Sequence, residues 1–324
     1  MKKAKILYLM KILTENTDED HAITMDEIIS KLAEYGIEAE RKSLYDDIKL
    51  LTDYGLDIKM EKADRTCYYH VVSRQFELAE LKLLVDSVQS ARFISGKKSN
   101  ELIKKIEMLA SRHEASQLQH QVFVTERVKS QNETILYNID AIHRAIETNS
   151  IIRFRYFKWN TKKKAELRHN GAEYEVSPWA MTLVEENYYL VSYDAKADRI
   201  KYFRLDKMKG ITLAGRPREG RKKFVSFDVA DYAKKRFRMY DGEEVTVRLR
   251  CRNEFADVIF DRFGTDVMIH EGDDGYFEVN VNVALSRHFY AWIMAMNDNV
   301  VIAGPAEVLK DAKDFIKELA KTYK

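Results

Sequence analysis

Between Ser177 and Asp206 the chain reads SPWAMTLVEENYYLVSYDAKADRIKYFRLD, in which alternating apolar runs end in short polar turns. Few folds accept that pattern. Successive side chains of a strand point to opposite faces, so Tyr188 and Leu190 share one face while Tyr189 and Val191 share the other. Glu185-Glu186-Asn187 and Ala195–Asp198 have turn composition and are too short for a crossover helix, so the strands they join pair antiparallel. Strands are predicted at Glu173–Val176, Trp179–Val184, Tyr188–Asp194 and Ile200–Arg204. Another starts at Ile151, where Ile152, Phe154 and Tyr156 alternate with Arg153 and Arg155. Sequential short strands with short turns favour an antiparallel sheet that curls on itself.

The chain has 324 residues, enough for two or three domains with real cores. Its three prolines, Pro178, Pro217 and Pro305, are scattered, and there is no low-complexity tract or convincing internal repeat. Cys67 and Cys251 lie far apart and form no metal-ligand or redox spacing, so reduced thiols are expected. The start, MKKAKILYLMKIL, is a short apolar run broken by Lys11, with no small-residue cleavage site after it. Ile6, Leu9, Met10 and Leu13 fit one helical face instead. No segment is long and apolar enough to span a bilayer, and a cytoplasmic protein without membrane contact is expected. A P-loop, GxGxxG, HExxH and CxxC are all missing, and histidines such as His113, His120 and His288 are scattered. No catalytic residue, metal or cofactor is therefore expected, and an enzyme is the weaker class.

Charge is distributed unevenly. Residues 1–72 carry 11 Lys+Arg against 15 Asp+Glu, a net of −4, while residues 151–220 carry 15 against 9, a net of +6. The middle of the chain is thus the place for an anionic ligand.

The N-terminal segment predicts three helices and a hairpin. Thr24-Met25-Asp26-Glu27 is a capping-box pattern, Ile28, Ile29 and Leu32 give a buried stripe, and Gly36 ends that helix. A helix over about Glu40 to Tyr54 buries Leu44, Ile48 and Leu51 and exposes Arg41, Lys42, Tyr45, Asp46 and Lys49. Strands follow at about Asp57–Glu61 and Thr66–Val72, with Lys62-Ala63-Asp64-Arg65 as the connecting tip. Helix, turn, helix and hairpin is the winged helix-turn-helix order. An α-helix fits the major groove, where base edges carry a full donor and acceptor code. Arg41, Lys42, Ser43, Tyr45 and Lys49 on the helix and Arg65 on the wing are therefore the candidate contacts to double-stranded DNA.

Residues Glu77 to Ser150 predict helices with three apolar stripes: Leu81, Leu84, Val85 and Val88; Leu102, Ile106 and Leu109; Ile135, Ile139, Ile142 and Ile146. These pack within the chain or join two copies of it. A two-fold dimer would set two recognition helices on successive major-groove faces. Arg127 and Lys129, between helices, are candidate contacts to the DNA backbone. After Arg216-Pro217-Arg218, a linker leads to a strand, helix, strand, strand, helix, helix order, a compact α+β unit.

The Ser177–Asp206 segment resembles the WYL domain of bacterial regulators. The family's Trp-Tyr-Leu signature falls on Tyr188-Tyr189-Leu190, its Ser-Pro on Ser177-Pro178 and its Phe-Arg-Leu-Asp on Phe203 to Asp206. Arg41 to Ile48 resembles the recognition helix of the same regulator class, with Asp46 where members often carry arginine. The resemblance implies an α+β, multidomain fold: a winged helix over 1–74, a helical linker and dimerisation region over 75–149, a WYL Sm-like β-barrel over 150–220, and a small α+β C-terminal extension over 221–324. It implies a sensor of a nucleotide or short single-stranded nucleic acid, with Ser177, Tyr189 and Arg204 as pocket candidates and Tyr188 and Arg153 beside them. In the C-terminal unit, Arg248, Arg250 and Arg262 are candidates for a shared ligand site. The expected function is a ligand-responsive transcriptional regulator acting as a homodimer on an operator. The alternative is an RNA- or ssDNA-binding accessory protein of a defence system.

Overall fold

The computed structural model describes residues 2–118, 129–130, 132–225, 235–237, 242–272 and 275–323. It divides into two compact units, Met1–Glu133 and Thr134–Lys324.

The first unit opens with α1 (Lys2–Asn16), β1 (Ile23–Thr24), α2 (Met25–Glu34), α3 (Arg41–Tyr54), β2 (Ile58–Ala63) and β3 (Thr66–Val71). The capping box forms as expected: Thr24 Oγ1 accepts from Glu27 N, and a Glu27 carboxylate oxygen accepts from Thr24 N at 2.6 Å. Gly55, at φ 113, closes α3 in a left-handed conformation that glycine alone adopts without strain. Leu9, Leu13, Ile28, Leu32 and Leu44 are fully buried in one core, and Tyr69 and Val71 of β3 close it. The three strands run in the order β1-β3-β2. The hairpin is tighter than predicted. Ala63 pairs with Thr66 and Lys62 with Cys67, so Lys62 and Ala63 belong to the strand and the tip is Asp64-Arg65 alone. Asp64 takes φ 53, a left-handed angle that aspartate tolerates better than most residues. Two-residue β1 is too short for any periodicity to reveal.

Next come α4 (Leu78–Ser90), α5 (Gly96–Glu107) and α6 (Arg112–Leu118). Leu81, Val85, Ala110 and Leu118 form a small core. Leu84, expected in the Leu81 stripe, is 38% exposed and stands outside that core. A polar latch fixes α6. Ser111 Oγ donates to Asp18 Oδ2, His21 Nδ1 lies 2.6 Å from Asp18 Oδ1, and the His21 and His113 rings stack at 3.8 Å. Burial alone would raise the Asp18 pKa, but the bonds from Ser111 and His21 outweigh it and hold the carboxyl below its usual range. Lys129 turns inward: its Nζ donates to Val88 O, Ala91 O and Ser99 Oγ, which closes the carbonyl end of α4. Arg127 and His120 lie outside the described residues.

The second unit starts with α7 (Ile135–Glu147), β4 (Ser150–Trp159), β5 (Ala165–Leu167), β6 (Tyr174–Val184), β7 (Asn187–Asp194), β8 (Arg199–Arg204) and β9 (Met208–Pro217). Helix α7, grouped by sequence with the helical middle, packs on β4, β6 and β9. Its buried Asn138 donates from Nδ2 to Leu205 O and Met208 O at 3.2 and 3.1 Å. The sheet runs β5-β4-β6-β7-β8, with β9 pairing to β4. Among the described residues no pairing joins β8 to β9, so the sheet is a curled half-barrel.

Two strand predictions are corrected. Glu173–Val176 and Trp179–Val184 are one strand, β6, which passes Pro178 through a register shift between Pro178 and Ala180. Strand β9 was not foreseen, because Gly210 and Gly215, both at positive φ, interrupt its pattern. Beyond β9 the chain folds back on the sheet. Ser177 Oγ accepts from Glu219 N at 2.8 Å, and Trp179 Nε1 donates to Glu219 O at 2.9 Å. Gly220 makes room for the Tyr193 ring: a Cβ there would lie 2.2 Å from Tyr193 Cγ.

After α8 (Arg221–Val225) come β10 (Glu244–Arg252), α9 (Ala256–Phe263), β11 (Ile269–Glu271), β12 (Tyr276–Ala284), α10 (Arg287–Ala295), β13 (Val300–Gly304) and α11 (Ala306–Thr322). The antiparallel sheet has the order β11-β12-β10-β13, and β13 is an addition to the predicted order. Val247, Leu249 and Cys251 of β10, Phe277 to Val283 of β12 in alternation, and Phe289, Ile293 and Val308 of the helices make the core.

Candidate functional site

Two surfaces collect the side chains that sequence reasoning singled out, one in each unit. In the first unit, Arg41, Lys42, Tyr45, Asp46 and Lys49 lie on the exposed side of α3, and Arg65 is exposed at the hairpin tip. Tyr45 is 48% exposed. Arg41 is partly engaged, since its guanidinium pairs with Asp26 of α2. Ser43 is half-buried and structural: its Oγ accepts from Lys5 Nζ at 2.9 Å, and the same ammonium pairs with Asp47 at 2.5 Å, fastening α1 to α3. Among the described residues Lys42, Lys49 and Arg65 have no ion-pair partner. Burial pushes the phenol of Tyr69 up to about 12, with Tyr45 close beside it.

In the second unit a cationic cup forms where β8 ends. Arg204 grips Asp206 with two bonds, at 3.0 and 2.9 Å, and its backbone N donates to the Tyr156 hydroxyl at 3.1 Å. Burial works against the Arg204 charge, but the bonds and charge of Asp206 outweigh it and raise the guanidinium pKa. Lys207 is next. Burial first, then the Arg204 charge, lower its pKa, with Arg168 adding to the effect and Asp206 opposing it. Arg168 lies over the Tyr156 ring at 5.9 Å. Burial raises the Tyr156 phenol to about 12, so it stays a neutral hydrogen-bonding group. Phe154, Tyr156, Tyr174 and Phe203 form an aromatic floor to the sheet that is largely buried, with centroids between 5.0 and 6.4 Å apart; Phe203 alternates with Arg204, whose side chain leaves from the other face.

Backbone strain marks the same place. His169 and Asn170 are consecutive non-glycine residues at φ 50 and 54, and the His169 ring meets Tyr174 edge-on at 5.5 Å. Such conformations cost free energy and cluster at binding sites. Arg204 thus holds Asp206 while Lys207 and Arg168 add positive charge nearby, a setting for an anion with several acceptor oxygens.

The five pocket residues named from sequence separate. Arg204 is in the cup. Tyr189 stands directly opposite it in the β7–β8 ladder and contributes to its electrostatics. Tyr188 pairs instead with Leu183 and projects to the face that carries Leu190. Ser177 is 2% exposed, and its hydroxyl is taken by the backbone of Glu219, so it serves the fold. Arg153 points away from the floor, because alternation puts it opposite Phe154 and Tyr156; it pairs with Glu175 at 2.7 Å, and Arg216 shares that carboxylate. Residue pattern alone does not single out Arg168, Lys207 or Tyr156 for the pocket. Lys207 directly follows the Phe-Arg-Leu-Asp run, the one available signal. Arg168 is brought in by the left-handed turn after it, which composition does not announce. In the C-terminal unit Arg262 is half-buried over the Phe237 ring at 4.0 Å and donates to Arg236 O, whereas Arg248 and Arg250 are exposed on the sheet. No helix among the described residues is long and apolar enough to cross a membrane.

Residues 137–213 match the WYL domain and residues 243–320 match the WCX domain, so both are present in the chain. No curated protein matches it. Among solved structures it is similar to proteasome accessory factor B/C (PafBC) of Arthrobacter aurescens, at 17% identity and a TM-score of 0.29, over 97% of this chain and 48% of that one. It spans about half the length of that relative. It is also similar to a CRISPR Cas-related protein, at 13% identity and a TM-score of 0.38, over 91% of this chain and 77% of the other.

Proposed function

We propose that this chain is a ligand-responsive DNA-binding transcriptional regulator that works as a homodimer. The observation that carries the reading is the cationic cluster in the WYL segment, where Arg204 grips Asp206 and Lys207 and Arg168 add positive charge beside it. A nucleotide or a short single-stranded nucleic acid suits it. Guanidinium forks hold phosphate oxygens, and the half-buried Tyr174 ring is the one of the four aromatics that a base face can reach.

The first unit supplies the other half of the reading. Its α1-β1-α2-α3-β2-β3 order is that of a winged helix-turn-helix, with α3 as recognition helix and β2–β3 as wing. Lys42, Tyr45 and Lys49 then meet base edges or phosphates, and Arg65 meets the backbone or the minor groove. Arg41 joins them by leaving Asp26. Ser43 holds α3 at its angle through Lys5. The acidic net charge of this segment is compatible with duplex binding, because Lys42, Lys49 and Arg65 are exposed on α3 and the hairpin tip, where they can meet phosphates locally.

Effector binding shifts the protein between two states that hold the recognition helices differently, which requires unequal effector affinity for the two states. The test is a mobility-shift titration of the full chain on its own upstream DNA, with and without a short single-stranded oligonucleotide. A salt-sensitive shift that the oligonucleotide strengthens or weakens is expected. Absence of any shift on DNA carrying an inverted repeat overturns the reading.

A further inference from the structure

The C-terminal sheet buries one face beneath its helices and leaves the other open. Val247, Leu249 and Cys251 of β10 are buried, and the alternate residues Arg248, Arg250 and Arg252 project to the opposite side. Across the ladder Arg252 pairs with Tyr276 of β12 and Arg250 with Glu278. A solvated face is ordinary for an antiparallel sheet, but its chemistry here is particular. The Arg250 guanidinium lies over the Tyr276 ring at 4.1 Å, and Arg252 is 5.7 Å from the same ring. Arg248 has Glu278 at 3.7 Å, and Arg252 has Asp298 at 3.1 Å. Both are exposed pairs of the kind that holds little free energy. Among the described residues Arg250 has no carboxylate partner.

We propose that this sheet face is a second nucleic-acid site, and that it takes an unpaired strand. Alternate residues of a strand lie about 7 Å apart, so the three arginines form a cationic track along β10 that a phosphodiester backbone can follow. Arg250, flat on Tyr276, offers its outer face to a base, since a guanidinium plane stacks on aromatic systems while its N–H groups still reach phosphate. A four-stranded sheet is too broad for a duplex groove, which admits a helix or a two-stranded ribbon; bases reach it only where they are unpaired. The β-α-β-β-α-β order of this unit is the ferredoxin-like one, and RNA-recognition modules stack bases on aromatics of a four-stranded sheet. That parallel is one of fold and is secondary to the Arg250–Tyr276 stack. The site is distinct from the cup and from α3.

The test uses the full chain and a fluorescein-labelled oligothymidylate, read by anisotropy. Arg250→Ala and Tyr276→Ala should each weaken binding by about fivefold or more, also in an Arg204→Ala background, with the melting temperature unchanged. Arg250→Lys should keep the salt dependence but not the affinity, because the point charge remains and the flat surface is lost. Unchanged affinity in both alanine variants overturns the proposal. So does a loss that accompanies a change of molecular mass in light scattering, which would make the face a contact between copies. If Arg204→Ala is silent while Tyr276→Ala weakens binding, the sheet site stands and the cup reading fails.

Discussion

Arg204 and Asp206 hold each other in a two-pronged ion pair, Nε to Oδ1 at 3.0 Å and Nη2 to Oδ2 at 2.9 Å. The carboxylate occupies the fork that a ligand phosphate would use, so Asp206 competes with the effector. Asp206→Asn removes the competing charge, and the partly exposed pair has only a modest free energy. Affinity for a short single-stranded oligonucleotide should therefore rise about two- to fivefold. Calorimetric titration checks this, and an equal or weaker affinity contradicts it. Arg204→Ala should cost about 1.5–3 kcal/mol of the same binding, with operator binding in the absence of effector largely kept.

The lowered pKa of Lys207 has a readable consequence. Burial and the Arg204 charge make it lose its proton below the ordinary lysine value of about 10.4. Effector affinity should fall as pH rises through that lowered value. Lys207→Arg, which stays charged, should flatten the profile. A wild-type affinity independent of pH up to the ordinary lysine range would remove Lys207 from the site.

Duplex binding separates from folding by the choice of residue on α3. Leu44 is fully buried, and Leu44→Ala should destabilise the first unit by about 2–5 kcal/mol. Lys42→Ala and Lys49→Ala change exposed side chains. Each should leave the melting temperature in place and reduce the slope of log affinity against log salt by about 1 if it neutralises a phosphate. An unaltered slope in both variants would take α3 off the DNA.

Acid should loosen the α6 latch. Asp18 has a lowered pKa in the fold, so its contribution is fully present above the unfolded aspartate value of about 3.9 and is lost as pH falls through the folded value. Asp18→Asn should lower the melting temperature at neutral pH and weaken its dependence on acid. A variant as stable as the parent at neutral pH would show that the latch stabilises nothing.

The sequence was most legible where one periodicity governs a long segment. The capping box at Thr24, the buried Leu44–Leu51 side of α3 and the β7 and β8 runs all appear where local pattern puts them. Elements failed to show where pairing across the sheet overrides local pattern. Strand β9 exists because β4 pairs with it through two irregularities, despite two glycines at positive φ. Within the cup, Arg204 was visible from its motif, whereas Arg168 arrives through a strained turn that no spacing rule foretells. Ser177 and Arg153 were plausible by residue type, but their partners, the Glu219 amide and Glu175, are set by tertiary contacts.

The bonds at Glu219 and the close approach of Gly220 to Tyr193 pin the chain that leaves β9 to the β6–β7 hairpin. Tyr189, opposite Arg204, belongs to that hairpin. A side chain at position 220 would have to displace the Tyr193 ring, and with it the seat of the chain that runs on toward the WCX segment.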